Sequence, residues 1–156
     1  MAAQISAGIL MHRSKGAATE VLLVHPGGPF WAKKDAGAWS IPKGLIAPDE
    51  DQLAAAKREF QEETGFAPEG KFVDLGGFKQ PSGKLIRAWS VEGDFDPAHL
   101  VSNEFEMEWP PKSKKRARFP EVDRAGWFLG EAAAEKIIAG QRPILQKFFT
   151  TRGVEL

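Results

Sequence analysis

The segment GLIAPDEDQLAAAKREFQEETGF, residues 44–66, contains three glutamates that are spaced for one face of a helix. Glu59, Glu62 and Glu63 stand at positions i, i+3 and i+4, which lie side by side on a helix. Like charges at this spacing destabilise a helix slightly unless something offsets them. A hard divalent cation, which carboxylate oxygens bind, would do so. The alternative is an acidic helix face that is simply solvated.

The same segment carries signals for where the helix starts and ends. Asp49 is a residue type that caps helix N-termini, and Gly65 suits the left-handed position just past a C-terminus. We therefore predict a helix over residues 49–64. Its apolar stripe, at three- and four-residue spacing, consists of Leu53, Ala56 and Phe60.

The rest of the chain alternates short apolar runs with turn-forming residues. Strands are predicted at 5–11, 21–24, 39–41, 72–78, 85–91 and 127–129, and two closing helices at 130–139 and 143–149. The first two strands are expected to pair antiparallel across a polar turn. Because strands and helices are interleaved without a βαβ repeat, we predict an α+β fold with a mixed sheet.

Length and composition narrow the class of protein. The 156 residues suit one domain, which we expect to span 1–156. The formal net charge of zero argues against nucleic acid or a membrane as a partner, and the absence of cysteine excludes disulfides and thiolate sites. We find no signal-peptide pattern at the N-terminus and no run long enough to cross a membrane. We therefore expect a cytoplasmic protein.

Residues 44–66 resemble the signature of the Nudix hydrolases, G-x5-E-x7-R-E-U-x-E-E-x-G-U, where U is a bulky apolar residue. At about 7% usage for each of the seven fixed residue types, a chance match is on the order of 10⁻⁸ per window. All nine positions match, at Gly44, Glu50, Arg58, Glu59, Phe60, Glu62, Glu63, Gly65 and Phe66.

The resemblance implies an α/β/α sandwich in which a loop-helix-loop motif forms the catalytic site. It implies that Mg²⁺, or alternatively Mn²⁺, is bound by the three glutamates, often with the carbonyl of Gly44. It also implies that Arg58 orients the glutamates through a salt bridge and that Glu50 plays a similar supporting part. One departure is Asp49, where a glycine commonly precedes the signature glutamate, so we expect a local change in loop shape.

Hydrolysis of a phosphoanhydride requires a base, and two candidates stand out. One is Glu59; the other is Glu121, six residues before Trp127, which resembles a second acidic element of the diadenosine-polyphosphate hydrolase branch. The alternative for Glu121 is an ordinary surface acid. Farther upstream, Glu104, Glu106 and Glu108 alternate, so in a strand they would share one face. One of them could line the cleft, but a solvent-facing side of the strand is favoured.

Substrate contacts are expected at two places. The segment Trp39-Ser40-Ile41-Pro42-Lys43-Gly44, which leads into the signature, resembles the corresponding segment of the diadenosine polyphosphate, diphosphoinositol and messenger-cap branches. Lys43 would contact a phosphate; the alternative is a solvated lysine. Trp39 either stacks on a base or belongs to the core. The second place is the basic run 112–118, whose substrate-binding candidates are Lys114, Lys115 and Arg116. The alternatives for this run are a solvated loop that offsets the acidic stretch and a targeting or RNA-binding patch.

Other aromatic residues and the histidines remain unassigned by spacing. Phe30, Trp31, Trp89 and Phe105 could each stack on a base or belong to the core. For the three histidines we favour structural or exposed positions over a ligand role; they are His12, His25 and His99.

Two functions follow from these observations. The first is a Mg²⁺-dependent pyrophosphohydrolase whose small-molecule substrate is a dinucleoside polyphosphate or a nucleoside triphosphate, with diphosphoinositol and capped-RNA substrates left open. The second is a non-catalytic Nudix module that senses a nucleotide or RNA. The intact glutamate set favours the enzyme.

Overall fold

The computed structural model of the chain describes residues 4–154. In chain order its elements are β1 (Ile5–Lys15), β2 (Ala18–Pro26), β3 (Lys43–Leu45), α1 (Gln52–Thr64), β4 (Val73–Lys79), β5 (Leu85–Glu92), β6 (Glu104–Glu108), β7 (Arg116–Pro120), β8 (Val122–Leu129), α2 (Gly130–Lys136) and α3 (Arg142–Thr151). Two short 3₁₀ turns lie at Pro97–His99 and Ala139–Gln141. No helix within these residues is long and apolar enough to cross a membrane.

The main sheet is mixed, as predicted. Its order is β4-β5-β1-β2-β8, in which β1 and β5 are parallel and the other neighbours are antiparallel. The first half of β1 also pairs with β3, where Ala7 opposes Gly44. The pairing of β3 with β1 therefore fixes the position of the segment that leads into α1.

Alternating side chains of the central strands fill two separate cores, one on each face of the sheet. On one face Ile9, Leu22 and Trp89 pack with Phe60 of α1. On the other face Leu10, Leu23 and Ile86 pack against α2 and α3. The predicted α+β sandwich is thus confirmed: one helix covers one face, and two helices cover the other.

Helix α1 begins at Gln52, three residues later than predicted. Asp51, not Asp49, is the N-cap, and its side chain accepts a hydrogen bond of 3.0 Å from the backbone N–H of Ala54. Asp49 instead adopts φ 62°, a left-handed conformation that glycine favours. Asp49 thus occupies a conformation that would suit the glycine common at this position, and the expected change in loop shape stays a prediction. Gly65 ends the helix at φ 80°, as predicted.

A two-stranded ribbon, which was not predicted as a unit, stands beside the main sheet. Strands β6 and β7 pair antiparallel, with Glu106 opposite Arg118 and Glu108 opposite Arg116. The alternate glutamates of β6 do share one face, and it is exposed. The predicted strand 39–41 is also different: Trp39 and Ser40 form only isolated bridges.

Candidate active site

The site forms where strand β3 runs beside helix α1. Gly44 lies so close to Glu59 that a Cβ built on the glycine would sit 1.9 Å from Oε2 of the glutamate. Only a residue without a side chain leaves room for this carboxylate. Glu59 itself is 9% exposed, and burial is the main reason that its pKa is raised.

Arg58 organises the acidic residues on one side of the helix. Its Nε and Nη2 donate to the two oxygens of Glu50 at 2.8 and 2.9 Å. Its Nη1 donates to Oε1 of Glu59 at 2.8 Å and to Oε2 of Glu62 at 3.1 Å. The guanidinium holds the pKa of Glu50 down to about 2. The structure therefore brings Arg58 and Glu50 together with two of the predicted metal ligands, in the arrangement that the resemblance implies.

Glu63 has no cationic hydrogen-bond partner among residues 4–154. The only donor to its carboxylate in that part of the chain is the backbone N–H of Lys43, 3.3 Å from Oε1. Burial raises the pKa of Glu63 to about 8, although the nearby charge of Lys43 opposes this shift. The ionised form of this side chain is thus costly in the absence of a bound cation.

Glu121 is brought to the same place by main-chain contacts that link the ribbon to α1. The backbone N–H of Glu121 donates to the carbonyl of Asn103 at 2.8 Å, and the N–H of Asn103 donates to the carbonyl of Glu62 at 2.8 Å. On its other side the Glu121 carbonyl accepts from Gly27 at 2.9 Å. The pKa of Glu121 is raised, first by burial and then by repulsion from Glu59 and Glu62. No side-chain pattern in the sequence marks Asn103 or Gly27, because both act through the backbone.

A cavity of about 320 Å³ opens onto these carboxylates. Glu63 and Glu121 both line it, together with Lys43. The aromatic side chains of Trp31 and Phe105 line the same cavity. Two carboxylates, one cation and two aromatic rings thus face one space. The sequence left four aromatic residues unassigned, and the other two lie elsewhere. Trp89 is in the core, whereas Phe30 is exposed and its ring contacts Trp109.

The donor set fits a hard divalent cation by its chemistry. Carboxylate oxygens are the ligands that Mg²⁺ accepts. The pKa values of Glu59, Glu63 and Glu121 are raised by desolvation and by repulsion from neighbouring glutamates, and a bound cation would offset both effects. Within residues 4–154, however, no three histidine or acidic side chains are already arranged to hold a metal ion. Arg58 engages one oxygen each of Glu59 and Glu62. The other oxygen of each of these two carboxylates accepts no hydrogen bond within the described residues.

The predicted substrate contact of Trp39 is not supported. Its ring is 5% exposed and packs edge-on against Phe128, with centroids 5.0 Å apart. The indole N–H donates to Asp35 at 2.8 Å. Trp39 therefore belongs to the core, which was the alternative. Lys43, by contrast, lines the cavity.

The basic run lies at the tip of the ribbon, outside the cavity that Glu63 and Glu121 line. Arg116 donates to Glu106 at 2.9 Å, so its charge offsets one negative charge of strand β6. This contact agrees with the alternative of a solvated loop that balances the acidic stretch. Lys114 occupies a left-handed turn position at φ 63°, and the backbone N–H of Lys115 donates to Ser113. None of these three cations touches the carboxylate cavity within the described residues.

The histidines are placed as favoured from the sequence. His25 is fully buried between two oxygens: its Nδ1 lies 2.8 Å from Oδ1 of Asp123 and its Nε2 lies 2.6 Å from the carbonyl of Lys34. The ring of His12 packs at a tilt against Phe148, and the side chain of His99 is 80% exposed. None of them lines the carboxylate cavity.

Comparison with known proteins agrees with this geometry. A family model described as "NUDIX domain" matches residues 2–148. No curated protein sequence matches the chain. Among solved structures, the chain is similar to a C. elegans Ap4A hydrolase in a binary complex, with 21% identity, TM-score 0.67, and coverage of 95% of this chain and 98% of that one.

Two further structures are similar over nearly the whole chain. The NUDIX domain of Shewanella oneidensis NrtR, complexed with ADP ribose, is 16% identical with TM-score 0.65, covering 99% of this chain and 90% of that one. A MutT protein from Methanosarcina mazei Go1 is 21% identical with TM-score 0.64, covering 97% and 96%. At these identities the similarity shows the fold.

Proposed function

Because this chain belongs to the Nudix family and is a hydrolase that acts on pyrophosphate bonds, we propose that its substrate is a dinucleoside polyphosphate or a nucleoside triphosphate and that it requires Mg²⁺. One observation carries the proposal: two carboxylates with raised pKa values, Glu63 and Glu121, share a cavity with Lys43. Carboxylates can bind a divalent cation, and a lysine can bind a phosphate. A site that contains both therefore suits a polyphosphate with its bound cation.

Glu59, Glu62 and Glu63, with the carbonyl of Gly44, would hold the cation. A bound divalent cation supplies charge neutralisation on the phosphates and a lower pKa for a coordinated water. Arg58 acts on these ligands rather than on the substrate, because its donors are used by Glu50, Glu59 and Glu62.

The proton from the attacking water would pass to a carboxylate of the chain. Glu59 and Glu121 are both candidates, and the pKa of each is raised by burial. A raised pKa makes a carboxylate a better general base near neutral pH. Lys43 would hold a phosphate oxygen by charge, since its ammonium is a compact point charge.

The nucleoside would occupy the aromatic side of the cavity. Trp31 and Phe105 present the rings, and stacking of a base on such rings is worth roughly 1–3 kcal/mol. The structures of an Ap4A hydrolase and of a NUDIX domain with ADP ribose, both similar in fold, support a nucleotide as ligand class. The sequence has no cysteine, which suits a reducing compartment, and we propose a cytoplasmic location.

A panel of substrates with product identification tests the proposal. Purified protein is incubated with Mg²⁺ and a dinucleoside polyphosphate, a nucleoside triphosphate, ADP ribose or capped RNA, and the products are separated to locate the cut bond. We expect turnover of one of the first two, abolished in Glu62→Gln and retained in the exposed-acid control Glu69→Gln. Tight nucleotide binding without turnover by the intact protein would instead favour the non-catalytic sensing module.

A further inference from the structure

A second cavity lies against the catalytic loop. Its volume is about 510 Å³, and Lys43 and Gly44 form part of its wall. Lys43 also lines the cavity that holds Glu63 and Glu121. A single lysine therefore stands between two spaces, each large enough to hold part of a ligand.

The chemistry of the second cavity differs from that of the first. No aspartate or glutamate lines it within residues 4–154, whereas Lys43 and Lys84 both do. Apolar side chains also line it, including Leu45 and Ile138, which are 50% and 39% exposed. Exposed apolar groups around a concave surface mark a binding site more often than scattered single ones do. An apolar ligand end attached to a negative charge complements this lining.

The far wall of the second cavity is held in place by specific contacts. The side-chain amide of Gln80 donates to the carbonyl of Gly140 at 2.9 Å. A Cβ on Gly140 would lie 2.6 Å from Oε1 of Gln80 and 2.9 Å from Cδ of Pro81, so the two loops are in close contact. Behind them the buried Gln141 accepts from the backbone N–H of Ile41 at 3.0 Å. A wall fixed in this way needs little ordering when a ligand binds.

We infer that the second cavity takes the second nucleoside of a two-ended substrate, so that a dinucleoside polyphosphate is preferred over a nucleoside triphosphate. The inference rests on the proposed function. The phosphate chain would cross at Lys43, with one nucleoside beside Trp31 and the other beside Ile138. A nucleoside triphosphate has only one nucleoside and leaves one of the two cavities empty.

The test compares kcat/KM for a dinucleoside tetraphosphate and for the matching nucleoside triphosphate. Two variants change the second cavity, Ile138→Ser and Lys84→Ala. Leu129→Ser is the control, because Leu129 is similarly exposed at 47% and lies outside this cavity. We expect each cavity variant to lower the ratio of the two kcat/KM values about tenfold, the effect of losing a favourable contact in a binding pocket. The control should leave the ratio unchanged.

The outcomes separate the inference from the function on which it rests. Turnover by the wild-type protein with an unchanged ratio in both cavity variants would overturn the inference and leave the proposed function standing. Equal or higher kcat/KM for the triphosphate in the wild-type protein would also overturn it. If the wild-type protein hydrolyses neither substrate, the proposed function is wrong, and the inference that rests on it is wrong as well.

Discussion

Gly44 and Glu59 are matched by size: the space that a methyl group on Gly44 would fill is already occupied by the carboxylate of Glu59. The strand β3 and the helix α1 approach this closely because β3 is paired to β1, on which α1 also packs. The position of a predicted metal ligand thus depends on a residue that has no side chain.

Gly44→Ala should therefore displace Glu59 and lower kcat by about a hundredfold, since a shift of about 1 Å in a catalytic group can cost that much. The assay is hydrolysis under saturating substrate and Mg²⁺. Gly77→Ala is a suitable control, because its new Cβ would meet its nearest neighbour, Cδ1 of Leu85, at an ordinary 3.4 Å. Full activity in Gly44→Ala would show that the carboxylate of Glu59 does not need its present position.

Arg58 should act through geometry as well as charge. It donates to three different carboxylates, and a lysine at this position has no planar fork with which to do so. We expect Arg58→Lys and Arg58→Ala both to lower kcat at least about tenfold and to raise the pKa of Glu50 towards its ordinary value. Activity assays and carboxyl-carbon NMR titration measure the two effects. A fully active Arg58→Lys protein would contradict the positioning role.

The half-buried acid Glu63 should make the stability of the metal-free protein depend on pH. Its pKa is about 8 in the folded chain against 4.5 ordinarily, so between these values the unfolded chain releases a proton that the folded chain keeps. The free energy of unfolding should therefore fall as pH rises from about 4.5 to about 8. Denaturation in the presence of EDTA should show this slope in the wild-type protein and a weaker one in Glu63→Gln.

Added Mg²⁺ should have its largest stabilising effect at the upper end of that range, because a cation that binds only the folded chain raises its stability and competes with the proton. The melting temperature at pH 8 is the measurement. Equal pH slopes in wild-type protein and Glu63→Gln would argue that Glu63 ionises as an exposed acid does.

Asp49 offers a test of backbone strain in the loop before α1. Its φ of 62° suits glycine and penalises alanine. Asp49→Gly should accordingly be more stable than Asp49→Ala by about 1 kcal/mol, as measured by urea denaturation. At the exposed helical position Ala54 the order should reverse, with Ala54→Gly losing about 1 kcal/mol. A more stable alanine variant at position 49 would exclude the left-handed conformation.

Local spacing was enough to predict α1, its face of glutamates and most strands of the main sheet. These features depend on residues close in sequence, such as Glu59 with Glu62 and Glu63. The N-cap was assigned to Asp49 instead of Asp51 because both are good caps, and only the backbone conformation distinguishes them.

Features that depend on contacts between distant residues could not be placed in the same way. Glu121 was singled out as a candidate, but its approach to α1 runs through backbone bonds of Asn103, which no residue pattern encodes. The burial of Trp39 likewise depends on Phe128, far along the chain. The second cavity is formed by loops around Gly44, Pro81 and Gly140, which sequence reasoning had no reason to combine.

The most direct test of the central claim is the hydrolysis of a dinucleoside polyphosphate by the wild-type protein, Glu62→Gln and Glu63→Gln, each with Mg²⁺ and with EDTA. We predict Mg²⁺-dependent turnover by the wild-type protein and a loss of at least about a hundredfold in both folded variants. Turnover that survives EDTA, or wild-type rates in either variant, would contradict the claim that these carboxylates hold the cation that supports catalysis.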